Sequence, residues 1–336
     1  MIKIIAELAQ GYEGKPEQAE LLILAAARAG ADAAKLQLVY ADELCTPDHK
    51  HYKQSKSLEM ADEVWEALAT SAGRLNVELH LDVFGPRSLA LAEAIGAQAV
   101  KIHGTDMGNI GLLRAVARSG VGHVLLGAGG GFLPEINQAV ELLGDKQIVV
   151  LLGFQGYPTP IEDNQIDRVR ALTKVFSGRS HVTIGFADHA QPESLLRLAL
   201  AATALGVGAQ VFEKHLTLGQ IMKLEDHEAA LNPDQFSEFV ITLRACAAAV
   251  GNTASSPDFG MPESERNYRR WTRKHVVACR HIVAGAVITP DSVALKRTSL
   301  ENVLTELDSV YGRHTLRDIA INQPISPADI RNEGGQ

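Results

Sequence analysis

Short apolar runs alternate with amphipathic stretches along the first three quarters of the chain, and the alternation occurs eight times. Each run is aliphatic or β-branched on both faces, as expected for a strand that is buried on both sides. The amphipathic stretches carry apolar residues at helical spacing, and several end at a glycine, which is typical of a helix C-terminus. Eight even strand–helix units favour a closed parallel (β/α)8 barrel, the TIM barrel, over a doubly wound open sheet. The predicted strands span residues 2–8, 33–39, 77–84, 99–104, 123–127, 148–154, 182–187 and 209–216, and the predicted helices span 16–29, 58–75, 88–95, 110–119, 133–143, 166–176, 192–205 and 233–250.

The pattern changes after Gly251. Residues 252–272 are rich in Ser, Pro, Asn and charged residues, and this composition predicts a linker. Short strand-like runs with turn signals return in residues 273–336, but their apolar content is too small for a large core. We therefore predict a barrel domain over residues 1–251, a linker, and a small β-rich domain.

Composition narrows the class of protein. The chain has 336 residues, 46% of them hydrophobic, and a formal net charge of -8, which argues against broad nucleic-acid binding. Its cysteines, Cys45, Cys246 and Cys279, are far apart, and this favours a reducing compartment. No secretory leader is recognisable, and apolar stretches are broken before the ~18 residues that a membrane helix requires. We expect a cytoplasmic protein without a membrane partner.

Charged and imidazole side chains fall at the predicted strand ends, where barrels of this type carry their chemistry. Buried charges are costly unless they are paired or bound to a metal, so converging Lys, Glu, Asp and His residues predict a site for an anion and a metal. The residues in question are Glu7 on strand 1, Lys35 and Gln37 on strand 2, Lys101, His103 and Thr105 after strand 4, Asp188 and His189 on strand 7, and Glu213 and His215 on strand 8.

Structural explanations compete with this prediction. The two lysines could extend out of their strands to solvent, and the two histidines could be hydrogen-bonded core residues. The glycine-rich run 127–131 could cradle a phosphate with its N–H groups and the following helix N-terminus, or it could be a flexible loop. The sequence also leaves open whether His80, Asp82 and His103 belong to the site or to the core.

Several motifs resemble the sialic acid (N-acetylneuraminate) synthase family, and the tail is similar to that family's antifreeze-like (SAF) domain, which has a β-clip fold. The resemblance runs from about residue 5 to about residue 330 and depends on the order and spacing of the motifs. These motifs are Ala6-Glu7-Leu8, Lys35-Leu36-Gln37, Val100-Lys101-Ile102, Tyr157-Pro158-Thr159-Pro160, Gly185-Phe186-Ala187-Asp188-His189, Phe212-Glu213-Lys214-His215 and, in the tail, Ile288-Thr289-Pro290-Asp291 with Leu295-Lys296-Arg297.

The resemblance implies an activity. Enzymes of this family condense phosphoenolpyruvate with the open-chain aldehyde of an aldose or amino sugar, release phosphate, and form a 3-deoxy-2-keto sugar acid of the nonulosonic type. They use a divalent metal, Mn²⁺ or Mg²⁺. The same resemblance implies a domain-swapped homodimer in which the C-terminal domain reaches over the partner subunit's active site.

The resemblance also implies roles for single residues. His189 and His215 match the metal ligands, Lys35 and Lys101 match the lysines that hold phosphoenolpyruvate, and Glu7 matches a carboxylate that transfers a proton or activates water. Asp188 is a further candidate for catalysis. The expected substrate-binding residues are Gln37, Phe84, His103, Thr105, Gln155, Tyr157, Thr159, Asp226 and Arg297, the last of which the C-terminal domain supplies.

The chain departs from the family where serines usually help to hold phosphoenolpyruvate, because it has Gly104, Gly127 and Ala187 there. We therefore expect a related synthase that uses a different aldose. The lost serines motivate a second hypothesis, a metal-dependent aldolase, lyase or isomerase that does not use phosphoenolpyruvate. A non-catalytic sugar-binding relative is the third.

Overall fold

The structure is a computed structural model that describes residues 2–153, 156–251 and 259–331. The chain divides into two compact units, Met1–Gly251 and Asn252–Gln336.

The first unit is a closed barrel of eight parallel strands in chain order, in which the last strand pairs with the first. The predicted TIM barrel is confirmed, and all eight predicted strands are present with bounds that differ by a few residues. The strands are β1 (Lys3–Ala9), β2 (Ala33–Gln37), β3 (Glu78–Val83), β4 (Ala99–Ile102), β5 (His123–Gly127), β6 (Gln147–Gly153), β7 (Val182–Asp188) and β8 (Val211–His215).

Helices follow the strands, and two short extra helices lie in the connection after β2. The helices of this unit are α1 (Pro16–Arg28), α2 (Ala41–Leu44), α3 (Tyr52–Ser57), α4 (Asp62–Arg74), α5 (Pro86–Ala94), α6 (Ile110–Arg118), α7 (Leu133–Leu143), α8 (Asp167–Val175), α9 (Ala199–Gly206) and α10 (Pro233–Val250).

Two predicted helices begin later than expected. The helix predicted from residue 192 begins at Ala199, because the Ser194 hydroxyl accepts a hydrogen bond from the N–H of Leu196 and competes with helical pairing. The helix predicted from residue 58 begins at Asp62, because Glu59 bonds the N–H of Ala41 instead of continuing a helix.

The register of the strands determines which side chains meet inside the barrel. Glu7 of β1 lies opposite Lys35 of β2 on one side and opposite His215 of β8 on the other. Asp82 of β3 lies opposite Lys101 of β4. Since every second side chain of a strand points to the same face, these residues face the barrel interior at one level.

The interior below this level holds an apolar cluster and a buried histidine. Ile5, Ala33, Leu125 and Val211 form the cluster, each two residues before an interior position at the strand end. His80 of β3 lies opposite Lys35, and its Nε2 lies 2.9 Å from Glu78 Oε2.

The larger core lies between the strands and the helices, where Tyr12 packs edge-on against Trp65 with ring centroids 5.7 Å apart.

The connection between β2 and α4 is anchored to α5. Glu43 of α2 accepts hydrogen bonds from the N–H groups of Arg87 (2.5 Å) and Ser88 (3.1 Å), which the first turn of a helix leaves without partners. The Arg87 guanidinium also lies 3.7 Å from the centre of the Tyr40 ring. These contacts hold the segment that carries His51.

The second unit is the small β-rich domain. Helix α11 (Glu263–Thr272) precedes an antiparallel pair, β9 (His275–Ala278) and β10 (Val293–Lys296). A small core includes Val276, Ile288 and Ile319.

The predicted linker is partly helical, since α11 lies within residues 252–272. Acidic residues in its first turn and basic residues in its last turn complement the helix dipole. Residues 252–258 lie outside the described part of the chain.

Across the residues that the structure describes, no helix has both the length and the apolar character needed to cross a membrane.

Candidate active site

A cavity of about 890 Å³ opens at the C-terminal ends of the barrel strands. Its polar lining includes ten of the residues expected from sequence, so the strand-end argument located the site. These ten are Glu7, Gln37, Lys101, His103, Thr105, Tyr157, His189, Glu213, His215 and Asp226.

The floor of the cavity is a cluster of buried charges, which we call the floor cluster: Glu7, Lys35, Asp82, Lys101 and Glu213. The Lys35 ammonium is fully buried; it contacts Glu7, lies 2.7 Å from Asp82 Oδ1, and lies 3.5 Å from Glu213 Oε2. Lys101 Nζ lies 3.1 Å from Glu213 Oε1 and 3.6 Å from an oxygen of both Asp82 and Glu7. Two ammonium groups thus share three carboxylates.

Burial and the neighbouring charges shift the pKa values of Glu7 and Glu213 in opposite directions. Burial raises the pKa of Glu7 to about 7, and the negative charge of Glu213 adds to the rise, although Lys35 and Lys101 oppose it. Burial also acts on Glu213, but Lys101 and Lys35 outweigh it and hold its pKa well below the usual range. Glu7 is therefore the carboxyl group of the cluster that is suited to exchange a proton near neutral pH.

His189 and His215 lie side by side on the opposite wall, with ring centroids 5.2 Å apart. Burial lowers the pKa of His189 to about 4 and lowers that of His215 well below its usual value, so both rings are neutral near pH 7. His189 Nδ1 lies 3.2 Å from the carbonyl oxygen of Ala187 and must donate to it, which leaves the lone pair on Nε2.

These two imidazoles fit a divalent metal. Neutral imidazole is a common metal ligand, and a hydrogen bond from the second ring nitrogen to a carbonyl is the usual way of orienting it. Within the described residues, no group of three or more His, Cys, Asp or Glu side chains is arranged to hold a metal ion. The chain would therefore supply two ligands and leave the other positions to substrate and water.

Tyr157 and Asp226 form the third side of the cavity. The Tyr157 hydroxyl donates a hydrogen bond to the main-chain carbonyl of Asp226, and its ring lies edge-on to both histidines at 5.8 and 5.6 Å. Burial, and secondarily the neighbouring Glu225, raises the pKa of Asp226 to about 6. A hydroxyl-rich ligand would meet both a ring face and a carboxyl group here.

The remaining lining residues belong to the strand ends β2 and β4. Gln37 accepts a hydrogen bond of 2.8 Å from the side chain of Gln10. His103 Nδ1 and the hydroxyl of Thr105 lie 2.8 Å apart.

Five expected site residues do not line the cavity. Lys35 lies beneath it, where the floor cluster surrounds its ammonium group. Asp188 points to the outer face of β7 because its neighbours Ala187 and His189 point inward; it pairs with the buried Lys214 at 3.1 Å and accepts from the N–H of Ala190 at 2.8 Å. A direct catalytic role for Asp188 has no support in this placement.

The other three lie elsewhere. Phe84 is buried in the core, and the Thr159 hydroxyl donates to the carbonyl of Gly156 at 2.7 Å. Arg297 is exposed in the C-terminal unit, where its Nε donates to the carbonyl of Thr272 at 3.2 Å. Gln155 lies outside the described residues.

Two residues of the site are predicted less fully from sequence than the others. Glu213 is expected at the end of strand 8 but is given no role, and the sequence leaves Asp82 open between the site and the core. Both complete the floor cluster, and each stands near the end of an apolar strand at an interior position. His51 also lines the cavity. Its polar loop gave no comparable signal, because only tertiary structure brings that loop to the cavity mouth.

Comparison with protein-family models and with known proteins identifies relatives of this chain. The NeuB family model matches residues 22–255, and the SAF domain model matches residues 273–331. An uncharacterized protein of Methanocaldococcus jannaschii is 29% identical over 297 residues, which are 88% of this chain and 84% of that protein. An N,N'-diacetyllegionaminic acid synthase of Legionella pneumophila is 24% identical over 330 residues, which are 92% of this chain and 89% of the synthase.

A solved structure shares the fold. A protein assigned as spore coat polysaccharide biosynthesis protein E from Chromobacterium violaceum superposes with a TM-score of 0.82 at 24% identity, covering 99% of this chain and 100% of that protein.

The floor cluster predicts a large effect of removing its buried cation. Lys35→Met should lower the free energy of unfolding by about 3–5 kcal/mol, because it leaves three buried carboxylates with one ammonium group. Urea unfolding followed by circular dichroism measures this change. Lys15→Met is the matched control, since Lys15 forms an exposed pair with Glu13 and should change stability by at most about 1 kcal/mol. Equal stability of the two variants would contradict the buried ion pairing of Lys35 in the floor cluster.

Proposed function

The chain belongs to the NeuB family, and we propose that it is a condensing synthase that joins phosphoenolpyruvate to an aldose with the help of Mn²⁺ or Mg²⁺. The product is a 3-deoxy-2-keto sugar acid, and phosphate is released. The main support for the proposal is one observation. Lys101, two neutral histidines and Glu7, whose pKa is about 7, line the same cavity at the strand ends. A relative named as a diacetyllegionaminic acid synthase, aligned over most of both chains, supports it.

We assign the donor, phosphoenolpyruvate, to Lys101. Its ammonium group reaches the cavity and is held by Glu213, and a pre-positioned cation stabilises an anion without reorganising during the reaction. Lys35 has a different role from the one expected from sequence. Carboxylates surround it beneath the cavity, so it positions Glu7 and does not hold the donor.

Glu7 is the candidate for proton transfer. In the proposed reaction the methylene carbon of the donor forms a bond to the aldehyde carbon, and the aldehyde oxygen takes up a proton. Water adds to the adjacent donor carbon and loses a proton. Phosphate then leaves with the electrons of the broken carbon–oxygen bond, and the remaining hydroxyl group passes its proton to the phosphate and becomes the keto group. A carboxyl group with a pKa of about 7 can donate the first proton and accept the second.

His189 and His215 would hold the metal ion, which supplies Lewis-acid polarisation of the aldehyde oxygen when it is bound. The hydrogen bond from His189 to the Ala187 carbonyl orients the ring before any ligand arrives. Tyr157 packs edge-on against both rings and fixes their separation. Asp226 lies on the same side and is suited to bind an acceptor hydroxyl.

The assembly remains part of the proposal. A domain-swapped homodimer, in which Arg297 of the partner subunit lies over the active site, rests on the family resemblance. The cytoplasmic location is likewise a prediction from sequence.

The charge of the floor cluster favours a second candidate function. Three carboxylates face two lysines, and Lys101 is the lysine that lines the cavity, so a highly charged anion is less well compensated than a neutral or singly charged ligand. A metal-dependent aldolase, lyase or isomerase that does not use phosphoenolpyruvate is the corresponding reaction class. It predicts metal binding without phosphate release.

The two candidates separate in a phosphate-release assay. Purified protein with phosphoenolpyruvate, Mn²⁺ and a panel of aldoses, including N-acetylmannosamine and its deoxy and amino relatives, should release phosphate with one of the aldoses. A chelator should stop the release, and Lys101→Met should abolish it because the donor loses its cation. Metal binding without release across the panel would favour the second candidate.

Metal binding is predicted to depend on the two histidines. His189→Ala and His215→Ala should each weaken Mn²⁺ binding by roughly one to two orders of magnitude, because each removes one of two protein ligands. Electron paramagnetic resonance of free Mn²⁺ measures this binding without turnover. His123→Ala, at the exposed N-terminal end of β5, should bind as the wild type does. Undiminished binding by both cavity variants would exclude this metal site.

A further inference from the structure

Part of the cavity wall is formed by glycine main chain. The ends of β4, β5 and β6 contribute Gly104, Gly127, Gly129, Gly130 and Gly153 to the lining, and we call this surface the glycine wall. The opposite side presents carboxyl, imidazole and phenol groups. The cavity therefore has a main-chain side and a side-chain side, which suit different parts of a ligand.

Close packing of the main chain requires glycine at two of these positions. A Cβ atom at Gly104 would lie 2.6 Å from the carbonyl oxygen of Gly129, and a Cβ atom at Gly127 would lie 2.8 Å from the nitrogen of Gly104. Both distances are below contact, and the atoms they meet belong to the backbone, which cannot rotate away. The connections after β4 and β5 thus touch in a way that any side chain would disrupt.

The same wall carries two available donors. Within the described part of the chain, the N–H groups of Gly129 and Gly130 donate no hydrogen bond, whereas the N–H of Gly131 bonds the Ala128 carbonyl at 3.3 Å. Gly130 has a φ of 76°, a left-handed conformation, and successive N–H groups around such a residue form a concave nest for anions.

The following helix does not take part. Glu135 of α7 accepts a hydrogen bond from the N–H of Phe132 at 2.7 Å and already caps the N-terminus of α7. Neither Phe132 nor Leu133 lines the cavity, so of the two parts that the sequence offered for a phosphate, the glycine-rich run is the one that faces it. Lys101 and Thr105 of the β4 end also line the cavity.

We propose that the glycine wall determines donor specificity, because it binds the phosphate group of the donor through the main-chain N–H groups of Gly129 and Gly130. Gly104 and Gly127 permit the close approach that shapes this surface. The inference rests on the proposed function for the identity of the donor. In this chain the main chain binds the phosphate group, which the hydroxyl groups of side chains could bind in other proteins.

Substitutions that add a single carbon test the wall. Gly127→Ala and Gly104→Ala should weaken phosphoenolpyruvate binding by roughly tenfold to a hundredfold, measured by isothermal titration calorimetry, because the displaced backbone loses charge-assisted hydrogen bonds. Gly127→Ser should bind no better than Gly127→Ala, since the added hydroxyl brings the same Cβ atom. The matched control is Gly108→Ala in the same connection after β4, where a Cβ atom meets nothing within 4 Å.

A measurement on the wild type avoids any doubt about folding of the variants. In a proton–nitrogen NMR titration with phosphoenolpyruvate, and separately with inorganic phosphate, the amide protons of Gly129 and Gly130 should move downfield. Binding of phosphoenolpyruvate without these shifts, or undiminished affinity in folded Gly127→Ala, would overturn the inference. If inorganic phosphate shifts both amides but phosphoenolpyruvate does not bind, the glycine wall stands and the proposed donor is wrong.

Discussion

The buried ion cluster of Lys35, Lys101, Glu7, Asp82 and Glu213 is the interaction on which the site depends. Removing five charges from water is costly, and only close mutual pairing compensates for it. Below the cluster lie a group of buried apolar residues and the buried His80. Burial, reinforced by the negative charges of Glu213 and Asp82 and opposed by the two lysines, raises the pKa of Glu7 to about 7. The fold therefore determines both the burial of Glu7 and the charges around it, and these determine its pKa.

The barrel could be predicted from sequence because both of its signals are local. The strands are apolar on both faces, and the helices carry apolar residues at helical spacing. The strand-end rule then located eight lining residues, and the family resemblance added Tyr157 and Asp226. The strand-end rule failed for Asp188, since a one-residue step along β7 turns a side chain from the cavity to the outer face. It placed Lys35 correctly in the barrel interior, but a sequence does not show that carboxylates from β1, β3 and β8 will surround this lysine. The place of His51 in the cavity lining could not be predicted from sequence, because it depends on how a long connection packs.

The glycines show a second limit. In sequence, Gly104 and Gly127 read as lost hydroxyl groups, which weakened the case for phosphoenolpyruvate. In the structure they are positions where two backbones touch, and the touching surface exposes amide donors. Positions without side chains therefore lie beside main-chain donors, which bears on the choice between a phosphoenolpyruvate-dependent synthase and a barrel that uses other chemistry. The excess negative charge of the floor cluster favours a reaction without phosphoenolpyruvate, whereas the glycine wall favours binding of phosphoenolpyruvate.

The central claim is that the cavity forms a carbon–carbon bond between phosphoenolpyruvate and an aldose. The most direct measurement is carbon NMR of a reaction with phosphoenolpyruvate labelled with carbon-13 at its methylene carbon, in the presence of Mn²⁺ and the aldose panel. The account predicts a new methylene signal coupled to a carbon of the sugar, as a 3-deoxy-2-keto acid requires. Label that remains in phosphoenolpyruvate, or that appears in pyruvate alone, would contradict it.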